Sequence, residues 1–375
     1  MKTSAYYTVL KSYLNIKAGR IPAGPIRVIA NVTGACQSLC KTCNWGRDYL
    51  EGRYKRDREL TRQEFGDTFK SVKDTLVWLS LGGGEPTMRP DLAEIALDSE
   101  ANCPHLSGVD ISTNAIAPAT EKRLMNKLVP NTKLDIEAAV SLDGNRELHD
   151  FIRGQEGNYD TAIETFKWLQ ELSKQYPNLH PHFNYTVSDM NAGHMSEYLD
   201  NLRKEGIEPS IDNIALCFAI QGTAFSNVSD LHGLSPETFN KKYNVVKAQE
   251  DLTSYLNLDK KRGLSFQGLR HTMKSIDIHL ARDFYLENKR VVPWCAALRM
   301  SMHITPVGDL FPCTVFWESL GNIRDYNFDL GGAWKSDKFN AMRERLKRGC
   351  LCGTWSGCEV SQIVLAGMPG LLKYT

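Results

Sequence analysis

Strand-like and helix-like segments alternate over more than half of this chain. Apolar, β-branched segments typical of strands lie at residues 27–33, 76–81, 108–112, 134–142, 183–187 and 211–219. Segments typical of helices lie between them, at 61–73, 90–99, 119–128, 159–175 and 191–205. This alternation predicts an α/β fold with one parallel sheet, which six strands can form either as a doubly wound sheet or as an incomplete (β/α) barrel.

Polar and glycine-rich loops follow the predicted strands. The first strand is followed by three cysteines within residues 36–43, the second by GGGEP at 82–86, the third by Thr113-Asn114 and the fourth by SLDG at 141–144. Because ligands bind at the carboxyl ends of parallel strands, we expect these loops to converge on one site.

Charge and hydropathy exclude several classes of protein. The 375 residues contain 45 Lys and Arg against 44 Asp and Glu, so the chain lacks the basic excess that neutralises phosphates, and no nucleic-acid partner is expected. No apolar run approaches the roughly 18 residues of a membrane-spanning helix, and the N-terminus lacks the apolar region of a secretory signal. These features predict a cytoplasmic protein. In that reducing compartment, clustered cysteines are more often metal ligands or catalytic groups than disulfides.

The first cysteine cluster has the spacing Cys36-x3-Cys40-x2-Cys43. A zinc site or a cubane iron–sulfur cluster normally takes four protein ligands, and no fourth Cys or His follows within fifty residues. Three thiolates would therefore leave an open metal position, as catalysis requires. A structural zinc site with a distant fourth ligand and incidental thiols are the alternatives.

The CxxxCxxC spacing after a first strand, with a GGE loop after the second, resembles the radical S-adenosylmethionine (SAM) superfamily. The resemblance implies an incomplete (β/α)6 TIM-like barrel and a [4Fe–4S] cluster, held by Cys36, Cys40 and Cys43, whose open iron binds SAM. In that family one electron cleaves SAM to methionine and a 5′-deoxyadenosyl radical, which abstracts a substrate hydrogen. Thr42 stands where the family usually has an aromatic residue, which changes the expected adenine contact.

The resemblance also assigns the cofactor contacts to residues on the other loops. They are Gly83, Gly84 and Glu85 for the methionine amino group, Ser141 and Asp143 for the ribose, Arg153 for the methionine carboxylate, and Asn114 and Thr186 for the pocket wall. Simple turns at the Gly-rich and Asp-Gly loops, and an exposed arginine at a helix end, are the structural alternatives. The family more often has Gly where Ala115 stands.

The tail contains five cysteines, and GDLFPC at 308–313 resembles the SPASM and twitch extensions of this superfamily. One [4Fe–4S] cluster needs four thiolates, whereas two full clusters would need seven or eight. We therefore expect one auxiliary [4Fe–4S] cluster, bound by Cys295, Cys313 and two of Cys350, Cys352 and Cys358. A zinc ribbon built from four thiolates is the alternative.

Four segments follow from these patterns. They are an N-terminal helical segment (1–25), a radical SAM partial barrel (26–220), a helical bridge (221–290) and a small cluster-binding SPASM- or twitch-like domain (291–375).

The expected substrate is a small, sugar- or lipid-linked molecule, because only about twenty-five residues precede the first strand, which disfavours a separate peptide-recognition domain. The alternatives are a maturase of a ribosomally made peptide and a non-catalytic, zinc-stapled α/β binding protein. Reduction of the cluster calls for an electron donor such as flavodoxin or ferredoxin. An apolar helical stripe, comprising Tyr6, Val9, Leu10, Tyr13 and Leu14, predicts packing on the barrel, with peripheral membrane contact as the alternative.

Overall fold

A computed structural model describes residues 2–219, 245–258, 295–314, 316 and 318–347 of the chain. In the described part, one eight-stranded sheet has the order β6-β5-β4-β3-β2-β1-β7-β8. The strands are β1 (Arg27–Thr33), β2 (Trp78–Gly83), β3 (Gly108–Thr113), β4 (Asp135–Ser141), β5 (Leu179–Val187), β6 (Ile214–Phe218), β7 (Ser301–Ile304) and β8 (Leu310–Phe311). Neighbouring strands are parallel from β6 to β7, and β8 returns antiparallel to β7.

Helices connect successive strands, so the six predicted strands form the parallel α/β sheet that the sequence indicates. The α-helices of the described residues are α1 (Thr3–Lys17), α2 (Trp45–Leu50), α3 (Arg62–Lys70), α4 (Leu92–Asn102), α5 (Pro118–Leu128), α6 (Arg146–Arg153), α7 (Asn158–Gln175), α8 (Met195–Lys204), α9 (Val245–Leu256), α10 (Leu330–Lys335) and α11 (Asp337–Lys347). Local capping explains several of these boundaries. For example, Thr61 and Glu64 form a reciprocal capping box at the start of α3.

The two faces of the sheet differ in chemistry. One face packs apolar strand residues such as Val28, Leu79 and Ile111 against the helices, where they are buried in the main core. The other face carries polar residues at matching register positions, including Ser80 beside Asp110 and Glu137 beside His180. This polar inner face is the interior of an incomplete barrel.

Two parts of the sheet lie outside the predicted strands. β5 begins at Leu179, four residues before the predicted start, and includes Pro181. Pro181 is tolerated because β6 pairs with β5 only from Phe183 onward, so no strand on that side requires its missing N–H. The short β7, which sequence reasoning assigned to the tail segment, pairs with β1 instead of standing apart from the barrel sheet.

Only two of the five residues predicted for the packing stripe of α1 are buried. Val9 and Tyr13 are buried together with Ala5, in a cluster that includes Ile26, Val77, Ala296 and Met300. In contrast, the other three predicted members are exposed, namely Tyr6 (51%), Leu10 (38%) and Leu14 (56%). The buried residues follow the i, i+4, i+8 spacing that starts at Ala5. The prediction missed this register because it considered only large apolar side chains. Membrane contact through the exposed residues stays a prediction.

The segment boundaries at 220/221 and 290/291 also stay predictions, because residues 220–244 and 259–294 lie outside the described part. Within the predicted bridge, α9 is helical and docks on the barrel. Its buried Asp251 accepts hydrogen bonds from the main-chain N–H groups of Gly193 and Met195, at 2.7 and 2.8 Å. In the described residues no helix is long and apolar enough to cross a membrane.

Candidate active site

The three cysteines lie on the loop after β1, at the carboxyl edge of the sheet. Cys36 and Cys40 are buried and Cys43 is half-buried. The Ser38 hydroxyl lies 3.0 Å from the Cys40 sulfur, and the Ser38 N–H points to the Cys36 sulfur at 3.4 Å. This loop places three thiols at the end of a central strand, where a ligand would enter.

The chemistry of these thiols fits an iron–sulfur cluster. Burial is the main cause that raises the pKa of both Cys36 and Cys43 to about 12, so each thiol needs a bound cation to ionise at neutral pH. Among the described residues no three Cys, His, Asp or Glu side chains converge on a point suited to one metal ion. A cubane does not require such convergence, because each of its thiolates binds a different iron.

The glycine loop after β2 packs directly against the cysteine loop. Gly83 has φ +131°, and a Cβ at this residue would lie 2.1 Å from the Thr33 carbonyl oxygen. The N–H groups of Gly84 and Glu85 donate to the carbonyls of Thr33 and Ala35, at 2.8 and 2.7 Å. The glycines are therefore required for the close approach of two loops, in addition to any contact with a ligand.

Glu85 is fully buried, and its carboxylate already has partners. It accepts hydrogen bonds from the Thr87 N–H at 3.2 Å, from the Thr87 hydroxyl at 2.7 Å and from the Asn114 N–H at 2.7 Å. Burial raises its pKa. These bonds leave acceptor capacity on the carboxylate, so its predicted contact with the methionine amino group stays a prediction.

Asn114 points its side chain toward the cysteine loop. Its Nδ2 lies 3.7 Å from the Cys36 sulfur, within reach of an N–H···S contact, and its Oδ1 lies 3.5 Å from Gln37 Nε2. The next residue, Ala115, is buried with φ +55°. This left-handed conformation accounts for the glycine that the resemblance leads one to expect there.

Asp143 and Arg153, for which the sequence predicts separate ligand contacts, form an ion pair with each other. Arg153 donates from Nε and Nη2 to Asp143 Oδ2 at 2.7 and 2.6 Å, and its Nη1 lies 3.9 Å from the Cys40 sulfur. The Thr186 N–H donates to Asp143 Oδ1 at 2.9 Å. The structure therefore brings Asp143, Arg153 and Thr186 together beside the cysteine loop, and Ser141 ends the strand that leads to them. Their roles toward the ribose and the methionine carboxylate stay predictions.

A buried polar network that the sequence analysis missed joins these loops. The Asp143 N–H donates to His149 Nδ1 at 3.1 Å, so His149 Nε2 carries the proton and donates to Asn158 Oδ1 at 3.2 Å. Asn158 Nδ2 then donates to the Asn114 carbonyl at 2.8 Å. Burial lowers the pKa of His149 to about 4, which keeps the ring neutral. The HD pair in HDFIRG was the available signal, but α6 was not predicted.

One further buried carboxyl lies near this site. Glu121 on α5 is 1% exposed, and burial, followed by the charge of Glu85, raises its pKa to about 8. The raised pKa favours the neutral form of Glu121, which reduces the electrostatic cost of burying two carboxyls near each other.

The described part of the tail includes two of its five cysteines. Cys295 is half-buried before β7, and its sulfur accepts from the Ala297 N–H at 3.4 Å. Cys313 is buried after β8, and its sulfur accepts from the Phe316 N–H at 3.2 Å. The predicted ligands Cys350, Cys352 and Cys358 lie outside the described residues.

A partial barrel with three thiols at its mouth, two of them buried and one half-buried, is typical of an enzyme that binds an iron–sulfur cluster, and comparisons with known proteins agree. The pattern of the Radical SAM superfamily matches residues 30–190, and that of the SPASM iron–sulfur cluster-binding domain matches residues 295–359. A relative named Mycofactocin maturase MftC, from Mycobacterium ulcerans (strain Agy99), is 31% identical over 352 residues, 89% of this chain and 82% of that protein. The chain belongs to the radical SAM superfamily and carries a SPASM domain.

Two other comparisons bear on substrate and fold. Fe-coproporphyrin III synthase from Methanosarcina barkeri (strain Fusaro / DSM 804) is 30% identical over 204 residues, which cover 53% of this chain and 46% of that protein. The crystal structure of Streptococcus suis SuiB bound to precursor peptide SuiA has a TM-score of 0.58 and 18% identity, covering 89% of this chain and 70% of that chain. The chain is thus an enzyme of the radical SAM fold that uses a [4Fe–4S] cluster and SAM. Its SPASM domain is of the kind that binds auxiliary iron–sulfur clusters.

Proposed function

We propose that this enzyme is a maturase that modifies a ribosomally made precursor peptide. The observation that carries the proposal is the extent of the similarity to MftC, which covers both the barrel and the SPASM domain. SuiB, which shares the fold over 89% of the chain, is described with a bound precursor peptide. The comparisons favour this peptide alternative over the small, sugar- or lipid-linked substrate that the sequence analysis expected first.

The residues of the mouth have separable tasks in this reaction. Cys36, Cys40 and Cys43 would hold the cluster, which with bound SAM would supply a 5′-deoxyadenosyl radical for hydrogen abstraction. Asn114 and Arg153 direct N–H groups toward the thiolate sulfurs of Cys36 and Cys40, and such donors stabilise the negative charge of a ligated thiolate.

The Asp143–Arg153 pair forms one wall of the same mouth. Its carboxylate is held by the Thr186 N–H as well as by the guanidinium, so both side chains are fixed before a ligand arrives. In our proposal the ribose hydroxyls and the methionine carboxylate of SAM bind at the outer edge of this pair, where Arg153 Nη1 is turned toward Cys40. Preorganised groups of this kind reduce the entropy cost of orienting SAM.

The auxiliary site belongs to the same proposal. Cys295 and Cys313 flank the β7–β8 pair, which fixes their separation through the sheet. Together with two of the three distal cysteines they would hold one [4Fe–4S] cluster. In this proposal such a cluster would supply an acceptor for one electron of the substrate radical, which would make the peptide modification a net oxidation.

The test is anaerobic and has two stages. Reconstituted enzyme with dithionite and SAM should form 5′-deoxyadenosine, and the Cys36/Cys40/Cys43→Ala variant should form none while it keeps about four iron per chain in the tail. Peptides encoded beside the gene are then added, and mass spectrometry follows their loss of hydrogen.

Coproporphyrin III, its iron complex and sugar-linked substrates serve as parallel substrates in the second stage. A SAM-dependent mass change in a peptide supports the proposal. A change in a porphyrin or sugar instead, or bound zinc with no 5′-deoxyadenosine, contradicts it.

A further inference from the structure

The inward-facing residues of the sheet form two layers below the cysteine loop. Strand pairing places four of them side by side at one level, which we call the lower layer: Ser80, Asp110, Glu137 and His180. Two residues nearer the carboxyl ends of the strands, pairing places five at the next level, which we call the upper layer: Asn31, Gly82, Ser112, Ala139 and His182. Inward-facing side chains at one level of a barrel lie across its interior from one another. The upper layer therefore lies between the lower layer and the loops at the mouth.

The lower layer is closed by bonds between its own residues and those beneath it. Asp110 Oδ1 accepts from Trp78 Nε1 at 2.6 Å and from the Ser80 hydroxyl at 2.9 Å. Arg27 Nη2 donates to the same oxygen at 3.0 Å. A Cβ at Gly108 would lie 2.2 Å from the Trp78 ring, so the ring fills the space beside β3. The interior on the β1–β3 side is thus filled below the upper layer, and a ligand would enter from the mouth.

The upper layer, in contrast, has both space and an unpaired donor. A Cβ at Gly82 would have one neighbour within 4 Å, the Asn31 Oδ1 at 3.6 Å, and Ala139 adds only a methyl group. Asn31 is 4% exposed, yet its Nδ2 has no hydrogen-bond partner in the part of the chain that the structure describes. Buried N–H groups in native proteins are nearly always paired. This amide therefore indicates that a bound molecule supplies the missing acceptor.

His182, on the β5 side of the upper layer, is oriented by two acceptors. Its Nδ1 lies 3.4 Å from Glu137 Oε2 and 3.5 Å from the His180 carbonyl oxygen. Because both neighbours accept, Nδ1 carries the proton of the neutral ring, and Nε2 presents a lone pair. Among the described residues Nε2 has no hydrogen-bond partner. The upper layer thus offers one donor on β1 and one acceptor on β5.

We propose that the upper layer binds the peptide side chain that is modified, and that this side chain is neutral and both donates and accepts a hydrogen bond, as a hydroxyl or a carboxamide does. Such a group accepts from Asn31 Nδ2 and donates to His182 Nε2, and the Ser112 hydroxyl can serve either role. A carboxylate would bring a second negative charge beside Glu137, an ammonium cannot accept from Asn31, and an apolar group would leave both unpaired. The inference rests on the proposed peptide-maturase function and adds the chemical class of the modified residue.

The test begins with binding of the precursor peptide that the wild-type enzyme modifies. Fluorescence anisotropy of the labelled peptide, measured anaerobically with SAM and without reductant, gives its Kd in the absence of turnover. Asn31→Leu and His182→Phe each remove one polar group at similar side-chain size, and each should raise this Kd about tenfold. His182→Gln, whose amide oxygen can accept in place of Nε2, should recover most of the affinity.

Variant peptides then identify the group that binds in the upper layer. The modified residue is replaced by an apolar residue of similar size, for example tyrosine by phenylalanine, threonine by valine or asparagine by leucine. We expect Kd to rise about tenfold for the wild-type enzyme but less than twofold for His182→Phe, because that variant has already lost the bond. Peptides with a hydroxyl or a carboxamide at this position, compared side by side, distinguish the two groups.

Two controls separate this contact from a general structural effect. His180→Phe changes the same face of the same strand, but in the lower layer, and should leave the Kd for the peptide unchanged. Formation of 5′-deoxyadenosine from SAM without peptide should match wild type in every variant, which excludes damage to the cluster.

Wild-type affinity for the peptide in both Asn31→Leu and His182→Phe would overturn the proposal. An equal loss of affinity in His180→Phe, or a modified residue that is apolar or charged, would also overturn it. Each of these results leaves the peptide-maturase proposal standing. If the wild-type enzyme modifies no peptide at all, both proposals fail, and that result is already visible before any variant is made.

Discussion

Replacing Asn158 by alanine tests the buried network that joins the loops after β3 and β4. Asn158 is 1% exposed, and its side chain makes bonds of 2.8 Å to the Asn114 carbonyl, 3.2 Å to His149 Nε2 and 3.3 Å to the Thr161 hydroxyl. Alanine leaves the buried His149 N–H and the Asn114 carbonyl without a partner, each at a cost of about 1–3 kcal/mol. Alanine is the better helix former by a few tenths of a kcal/mol, so the expected loss of stability is about 2–5 kcal/mol.

The same change should weaken SAM binding, because the Asn114 loop loses its anchor. We expect the KM for SAM in 5′-deoxyadenosine formation to rise about tenfold, which corresponds to about 1.4 kcal/mol, with a smaller change in kcat. The assays are anaerobic urea unfolding and SAM-dependent 5′-deoxyadenosine formation.

Thr161→Ala is the matched control for this prediction. It removes the 3.3 Å bond from Asn158 Nδ2 and the 3.0 Å bond from the Thr161 hydroxyl to the Asn158 carbonyl, but leaves the bonds to His149 and to the Asn114 carbonyl in place. We expect a cost of about 1 kcal/mol and an unchanged KM for SAM. Equal stability and equal KM for Asn158→Ala and wild type would refute the reasoning that the network holds the two loops.

Three further predictions concern single residues. Ala115→Val should lose more than about 2 kcal/mol of stability in urea unfolding, because a β-branched residue is strained at φ +55°, whereas Ala115→Gly should stay within about 1 kcal/mol of wild type. Gly83→Ala should reduce iron loading at the cysteine loop, measured as iron per chain, while Gly82→Ala, whose Cβ would meet nothing closer than 3.6 Å, should load normally. The pKa of His149 in the folded protein, about 4, lies below its ordinary value of 6.5, so the unfolded chain binds the proton first as pH falls. The free energy of unfolding should therefore drop by about 1 kcal/mol from pH 7.5 to pH 5.5. The His149→Gln variant should lack this drop.

The class of fold and the position of the site were predictable because their signals are local and repetitive. Each βα unit is recognisable from a short apolar strand followed by a polar loop. Because the strands are parallel, these loops lie together at the carboxyl edge of the sheet. The cysteine spacing predicts the cluster loop without any knowledge of the sheet, and that assignment stays a prediction. Each of these inferences needed only residues that are close in sequence.

The missed features depend on pairings between distant residues. The sequence could not show whether Asp143 and Arg153 pair with each other or bind separate parts of a ligand. Both arrangements require an acidic and a basic residue at the same two positions. His149 and Asn158 lie on different helices, and only the turn between α6 and α7 sets one imidazole against one amide. The four residues of β7 are too few for a strand prediction. Their pairing with β1 is set by tertiary packing, which local sequence does not show.

The pairing of β7 with β1 also sets the order in which the chain can complete its fold. One edge of β1 is covered by β2 early in synthesis, but the other waits for residues 301–304, about 270 residues later. At ordinary translation rates of ~5–20 residues per second, that edge and its cysteine loop stay uncovered for roughly 15 to 50 s on the ribosome. We therefore expect the open edge of β1 in the nascent chain to need protection from pairing with strands of other chains. We also expect iron to be loaded only after the C-terminal segment is complete.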